Sequence, residues 1–138
     1  LSYTALRLFN AYGPGQAPGY FIPDMLGKAK QGAITLSGGE TTKDWVHVSD
    51  VARAFVQAVE SPFVGAINIG RGIETSLTDI ARYIAEGVGG LYYAEINGNV
   101  TRMRADVSRA KRVLGWEPTV GIKEGLRGVL DAEKVALC

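Results

Sequence analysis

The chain has 138 residues, 46% hydrophobic and 21% charged, which fits one folded domain around a sizeable core and excludes both a disordered chain and two independent domains. Its 15 basic and 14 acidic residues give a formal charge of +1, spread along the chain without the basic stripe that binding to a nucleic-acid backbone requires. The only cysteine is Cys138, which excludes an internal disulfide and paired-cysteine zinc sites; no apolar run nears the roughly 20 residues of a membrane span, and "LSYTALRLFN" lacks the features of a signal peptide, so the expectation is a cytoplasmic protein.

In chain order, "TALRLF" (4–9) is short and apolar, and predicts a strand buried on most of its surface. Three glycines and two prolines between Asn10 and Gly19 predict a loop, because they fix turns and deny regular hydrogen bonding. "IPDMLGKAKQG" predicts a short helix with Pro23 in its first turn and Gly32 as its stop. "AITL" precedes a glycine turn and a second extended run in which Trp45, Val46 and Val48 supply strand-forming side chains. Ser49 or Asp50 is a candidate cap for a helix to about Glu60, with Val51, Ala54, Phe55 and Val59 on a core-facing stripe.

"GAINIG" predicts another strand, and "SLTD" from Ser76 has capping-box spacing, opening a helix to about Glu86 with Leu77, Ile80, Ala81 and Ile84 inward. "YYAEI" reads as a strand. In "ADVSRAKRVLGWEP", Asp106 can cap a helix that Gly115 stops. A last helix, about Ile122 to Ala136, carries Ile122, Leu126, Val129 and Leu130 on one stripe. The alternation of strand and helix predicts an α/β fold in a single domain over residues 1–138.

Five segments, "LRLFNAYGPG" at Leu6, "FIPDML" at Phe21, "LSGGETTKDWVHVSDVARAF" at Leu36, "INIGRG" at Ile67 and "ADVSRAKRVLGWEPTVGIKEGL" at Ala105, resemble in order and spacing the extended short-chain dehydrogenase/reductases that act on nucleotide sugars, the NAD-dependent, UDP-glucose 4-epimerase-like epimerases and dehydratases. The resemblance covers essentially the whole chain. It implies the C-terminal, substrate-binding lobe of such an enzyme, with the Rossmann half missing and residues 1–14 corresponding to the last Rossmann strand and its exit loop. Family members hold NAD through a glycine-rich turn and carry a Tyr-x-x-x-Lys pair; neither pattern stands in this sequence, where Tyr3 is followed by Arg7.

By resemblance, Asn10 hydrogen-bonds the sugar or diphosphate, Tyr20 and Phe21 lie along the diphosphate and base, Leu36 borders the base, Ile73 touches it, and Phe9 lies near the nicotinamide. Lys43 stands where the family usually has an arginine on the diphosphate, a point charge in place of a planar fork, with Trp45 beside it on the same strand face. Ile96 and Asn99 replace a second arginine and an aspartate of the family pattern. Read without the resemblance, Asn10 is a turn former, Lys43 a solvated lysine and Trp45 a core residue, and both readings stay open. His47, the only histidine, reads as structural.

The expected function is binding of a nucleotide sugar, a UDP- or dTDP-hexose, by a lobe that is not catalytic alone and binds no NAD itself, NAD belonging to the complete family enzyme. No nucleic-acid or membrane partner is expected. The alternatives are a stand-alone assembly module, as a homodimer through the first strand or as the partner of a separate Rossmann half, and a relic without retained function.

Overall fold

The structure, a computed structural model, describes residues 2–95 and 98–136; Ile96 and Cys138 lie outside them. Strands β1 (Thr4–Leu8) and β5 (Gly65–Ile69) pair in parallel with Leu6 opposite Ile67. Strand β4 (Thr42–His47) is the centre of a three-stranded sheet, parallel to β2 (Asn10–Tyr12) and antiparallel to β6 (Glu74–Ser76). Strands β3 (Ala33–Ser37) and β7 (Leu91–Glu95) form a third, parallel pair. The helices are α1 (Phe21–Lys30), α2 (Val48–Glu60), α3 (Leu77–Val88), α4 (Ser108–Leu114) and α5 (Ile122–Ala136).

The expected loop therefore begins three residues later, because β4 offers residues 10–12 a ladder that local sequence cannot reveal. Val48 opens α2 instead of ending the strand. The cap of α2 is neither Ser49 nor Asp50: His47 takes that position, its Nδ1 accepting from the Ser49 amide at 3.3 Å while its ring stands edge-on to Tyr12. Ser76 caps α3 as its spacing predicts, accepting from the Asp79 amide at 3.0 Å. Asp106 accepts from the Ser108 amide one position before the formal cap of α4, and Gly115 ends that helix in the left-handed conformation at φ 65°.

Two apolar cores result. The larger joins α1, α3, α5 and the inner face of β3 around Ile22, Ile34, Ile80, Ile84, Leu126 and Trp45. The smaller joins β5, α2 and α4 around Ile67, Ile69, Val51, Ala54, Ala110 and Trp116, with Val46. Trp45 and Val46 are neighbours on β4, and alternation sends them to different cores.

Two apolar expectations are corrected. Thr4, Ala5 and Leu6 are half-buried and Arg7 and Leu8 exposed, because among the described residues β1 has β5 as its only strand partner. Phe55 and Val59 are 52% and 87% exposed; helical spacing identifies the stripe of α2 correctly, but only Val51 and Ala54 have neighbours to cover them. Phe55 and Val59 instead flank an open groove with Tyr3, Leu6 and Phe63.

Tyr12 and Asp50 hold distant segments together. Tyr12 is 1% exposed, its hydroxyl donates to the Ile122 carbonyl at 3.5 Å, and a Cβ at Gly125 would lie 2.1 Å from that hydroxyl. Burial, aided by Asp50 and Glu124 and opposed by Arg71, pushes the Tyr12 hydroxyl up to about 12, so it remains a neutral donor. The fully buried Asp50 carboxylate accepts from the Thr119 amide, the Thr119 hydroxyl at 2.8 Å and the Val120 amide at 3.0 Å, and pairs with Arg53 at 2.9 Å.

Burial alone would raise the Asp50 carboxyl, but the Val120 and Thr119 bonds and Arg53 together hold it below its ordinary value. A carboxyl depressed in the folded state stabilises the fold above its unfolded value, and that contribution is lost as pH falls through the folded one. Thermal unfolding followed from pH 6 downward should show wild-type stability declining below about pH 4, where an ordinary Asp titrates, with a shallower decline in Asp50→Asn. Equal slopes in the two proteins would remove Asp50 as a source of the acid sensitivity.

Candidate functional site

The geometry of the site starts from Asp44, a charged residue with no exposed surface in the middle of β4. Its carboxylate accepts from the Arg71 amide at 2.6 Å, the Gly72 amide at 2.8 Å and the Ala105 amide at 3.0 Å. Three amides from two remote turns satisfy the charge, and burial of a carboxylate is tolerable only on such terms. Gly70 is required by this approach, since a Cβ there would lie 2.9 Å from Asp44 Oδ1 and 2.6 Å from the Ala105 Cβ. The sequence reading missed Asp44; an acidic residue inside an otherwise strand-like run was the signal available.

With Asp44 turned to one side of β4, Lys43 and Trp45 face the other. There they line a cleft of about 540 Å³ with Leu8, Phe9, Asn10, Tyr20 and Phe21. Asn10 lies opposite Trp45 in the β2/β4 register, and its Nδ2 donates to the Asp44 carbonyl at 3.1 Å and to Met103 Sδ at 3.7 Å. The side-chain nitrogen is thus engaged and the side-chain oxygen is left as an acceptor. Lys43 is half-buried and makes no ion pair among the described residues. Tyr20 is 61% exposed, and Phe21 tilts against Trp45 with ring centroids 5.8 Å apart.

Six residues singled out from sequence, Phe9, Asn10, Tyr20, Phe21, Lys43 and Trp45, thus line one cavity although they come from the β1/β2 junction, the start of α1 and β4. Leu36 does not: it is buried in the larger core, because alternation on β3 turns Ile34 and Leu36 inward. Ile73 is exposed in the turn between β5 and β6 and lies outside the cleft lining. Asn99 is exposed, and Ile96 falls outside the described residues. Leu8, Ala11, Gln16 and Gly19 also line the cleft, and no spacing rule marks them. His47 is occupied as a helix cap and packs on Tyr12.

The cleft combines a cation, an amide oxygen and aromatic surface, the groups that suit a ligand bearing phosphates and a flat ring. The glycine-rich run from Gly13 to Gly19 joins a strand to a helix as a dinucleotide-binding turn would, but the Asp24 carboxylate already takes the Gly19 amide at 2.8 Å, so that amide is not free to hold a phosphate. Among the described residues no group of three or more His, Cys, Asp or Glu could hold a metal ion, and no helix is long and apolar enough to cross a membrane.

The profile of the NAD dependent epimerase/dehydratase family matches residues 1–70. The chain is 36% identical to the UDP-glucose 4-epimerase of Mycolicibacterium smegmatis, over 88% of this chain and 42% of that protein. It is 33% identical to UDP-glucuronic acid decarboxylase 1 of Xenopus tropicalis, over 87% of this chain and 30% of the relative. The UDP-glucose 4-epimerase of Thermotoga maritima, solved with UDP-glucose, superimposes with a TM-score of 0.87 at 32% identity, over 100% of this chain and 48% of that one. The chain spans less than half the length of each of these relatives.

Proposed function

Because the chain belongs to the NAD dependent epimerase/dehydratase family, we propose that it is the nucleotide-sugar-binding lobe of such a protein and that the cleft around Lys43 takes the diphosphate of a UDP-hexose. The gathering in one cavity of six residues that the family resemblance singled out is the observation that carries this reading. Lys43 supplies the charge facing the diphosphate, the Tyr20 and Phe21 rings supply surface along it, and the Asn10 oxygen accepts from a sugar hydroxyl. An epimerase and a decarboxylase among the relatives carry UDP in their substrates' names, so the nucleotide end is the part such a lobe would recognise in common.

On this reading the lobe binds and orients, while the redox chemistry belongs to the portion of the relatives that this chain does not span. Sugar oxidation needs a hydride acceptor and a base. In this chain His47 is spent on a helix cap, and Asp44 and Asp50 are buried under amide and hydroxyl donors. Residues 2–14 are then the last strand of the dinucleotide-binding half and its exit loop, and the whole of residues 2–136 works as one domain.

Calorimetric titration with UDP-glucose at low ionic strength tests the reading. Lys43→Ala should weaken binding about tenfold, or about 1.4 kcal/mol, the scale of one charge-assisted contact at a half-exposed site. Absence of saturable heat from the wild-type chain at millimolar UDP-glucose would remove it.

One observation favours a second reading, an assembly module. Among the described residues one edge of β1 pairs with no strand and adjoins the groove flanked by Tyr3, Phe55 and Val59, and Leu8 and Val64 are also exposed. An open strand edge beside apolar surface is a template for association, with a second copy or with a separate dinucleotide-binding half. A mass that rises with concentration in a chain that ignores UDP-glucose would favour it.

A further inference from the structure

We propose that the indole N–H of Trp45 is a ligand donor that acts beside the Lys43 ammonium on the phosphoryl oxygens of the bound nucleotide; this inference rests on the nucleotide-sugar reading of the cleft. Trp45 is 5% exposed, lines the cleft, and among the described residues its Nε1 is buried without a hydrogen-bond partner. The other tryptophan shows how the same chain treats an indole that serves only the core: Trp116 Nε1 donates to the Asp50 carbonyl at 2.9 Å.

A buried N–H without a partner carries a desolvation penalty that nothing offsets, and folded proteins leave few such groups. A phenyl ring would give Trp45's contacts with Tyr12 and Phe21 without that cost. The indole nitrogen is therefore a liability in the free chain that a ligand acceptor removes. An indole is a donor only and carries no charge, so it complements the ammonium, adding direction where the lysine adds field. Lys43 and Trp45 are two residues apart on one strand face, a separation of about 6.6 Å that side chains of this length can close onto one phosphoryl group. Tyr20 is exposed and Phe21 half-buried, so the wall around the indole can yield as the ligand enters.

The test reads the nitrogen directly. The chain has two tryptophans, hence two indole N–H signals in a ¹⁵N-labelled sample, and Trp45→Phe identifies one by its loss. On titration with UDP-glucose the Trp45 signal should move downfield and its exchange with water should slow, while the Trp116 signal stays. Trp45→Phe should bind UDP-glucose about tenfold more weakly, the effect of losing one hydrogen bond to a charged acceptor, with no comparable loss of thermal stability. Should that variant fold poorly, the wild-type spectra decide, the fully buried and bonded Trp116 being the slower-exchanging signal. Saturable, Lys43-dependent binding with an unmoved Trp45 signal would overturn the inference and leave the cleft's function standing. No binding by the wild-type chain would overturn both.

Discussion

Asp44→Ala is expected to destabilise the fold by about 4 kcal/mol, since three amides lose a charged acceptor inside the protein and each buried orphan donor costs about 1–3 kcal/mol before relaxation and water entry recover part of it. The amides in question belong to Arg71, Gly72 and Ala105, so the damage is spread over two turns, one leading into β6, which pairs with β4, and one following Thr101, whose carbonyl accepts from the Thr42 amide at 2.9 Å. Asp44→Asn should do nearly as badly, because its amide group presents hydrogens to donors that need an acceptor. Urea unfolding, extrapolated to water, measures both. A loss below about 1.5 kcal/mol, the scale of one ordinary hydrogen bond, would show that the turns are held by other means. The same carboxylate sits on the strand that carries Lys43 and Trp45, so on the proposed nucleotide-sugar reading a folded Asp44 variant should also bind UDP-glucose more weakly than wild type.

Trp116→Ala should cost about 4 kcal/mol by the general cost of truncating a buried tryptophan, which for a chain of this size lowers the melting temperature by roughly 15 °C. Trp116 has no exposed surface and stands in the smaller core among Val51, Ala54, Ile67, Ile69 and Ala110. Its indole also satisfies the Asp50 carbonyl while the Asp50 carboxylate holds Thr119 and Val120. Truncation therefore empties the core and removes that hydrogen bond at one stroke. Trp116→Phe, which fills most of the volume but makes no hydrogen bond, separates the two contributions in a thermal melt. A melting temperature within a few degrees of wild type for the alanine variant would mean that the smaller core repacks around the gap.

Local rules read the helices well because helix signals are local. Ser76 announces its cap three residues ahead, Gly115 its stop, and the stripe Leu126, Val129, Leu130 its buried face. Apart from the cap of α2, which His47 takes in place of Ser49 or Asp50, the errors arise where a partner distant in sequence decides. Residues 10–12 become a strand because β4 lies beside them, and β6 forms for the same reason. Phe55 and Val59 have the spacing of core residues, but spacing cannot say what covers them.

The cleft residues were legible only through resemblance. Nothing in the spacing of Asn10, Tyr20 and Lys43 requires them to meet, and Leu36 shows the hazard, since a position carried over from a family pattern faces the core here. Asp44 was missed for the opposite reason: its place inside a strand-like run was a signal, but its three partners are amides, which have no signature in the sequence.

The division of Trp45 and Val46 between two cores has a mechanical meaning. The six residues of β4 are the shared wall of two apolar cores, one built on α1, α3 and α5, the other on β5, α2 and α4. Parts of a fold open with separate free energies, and opening on either side of this wall would slacken the strand that carries Lys43. Ligand gripped on one side of that wall would therefore be felt on the other as slower hydrogen exchange of the β5 amides, through changed opening rates and without any change of shape.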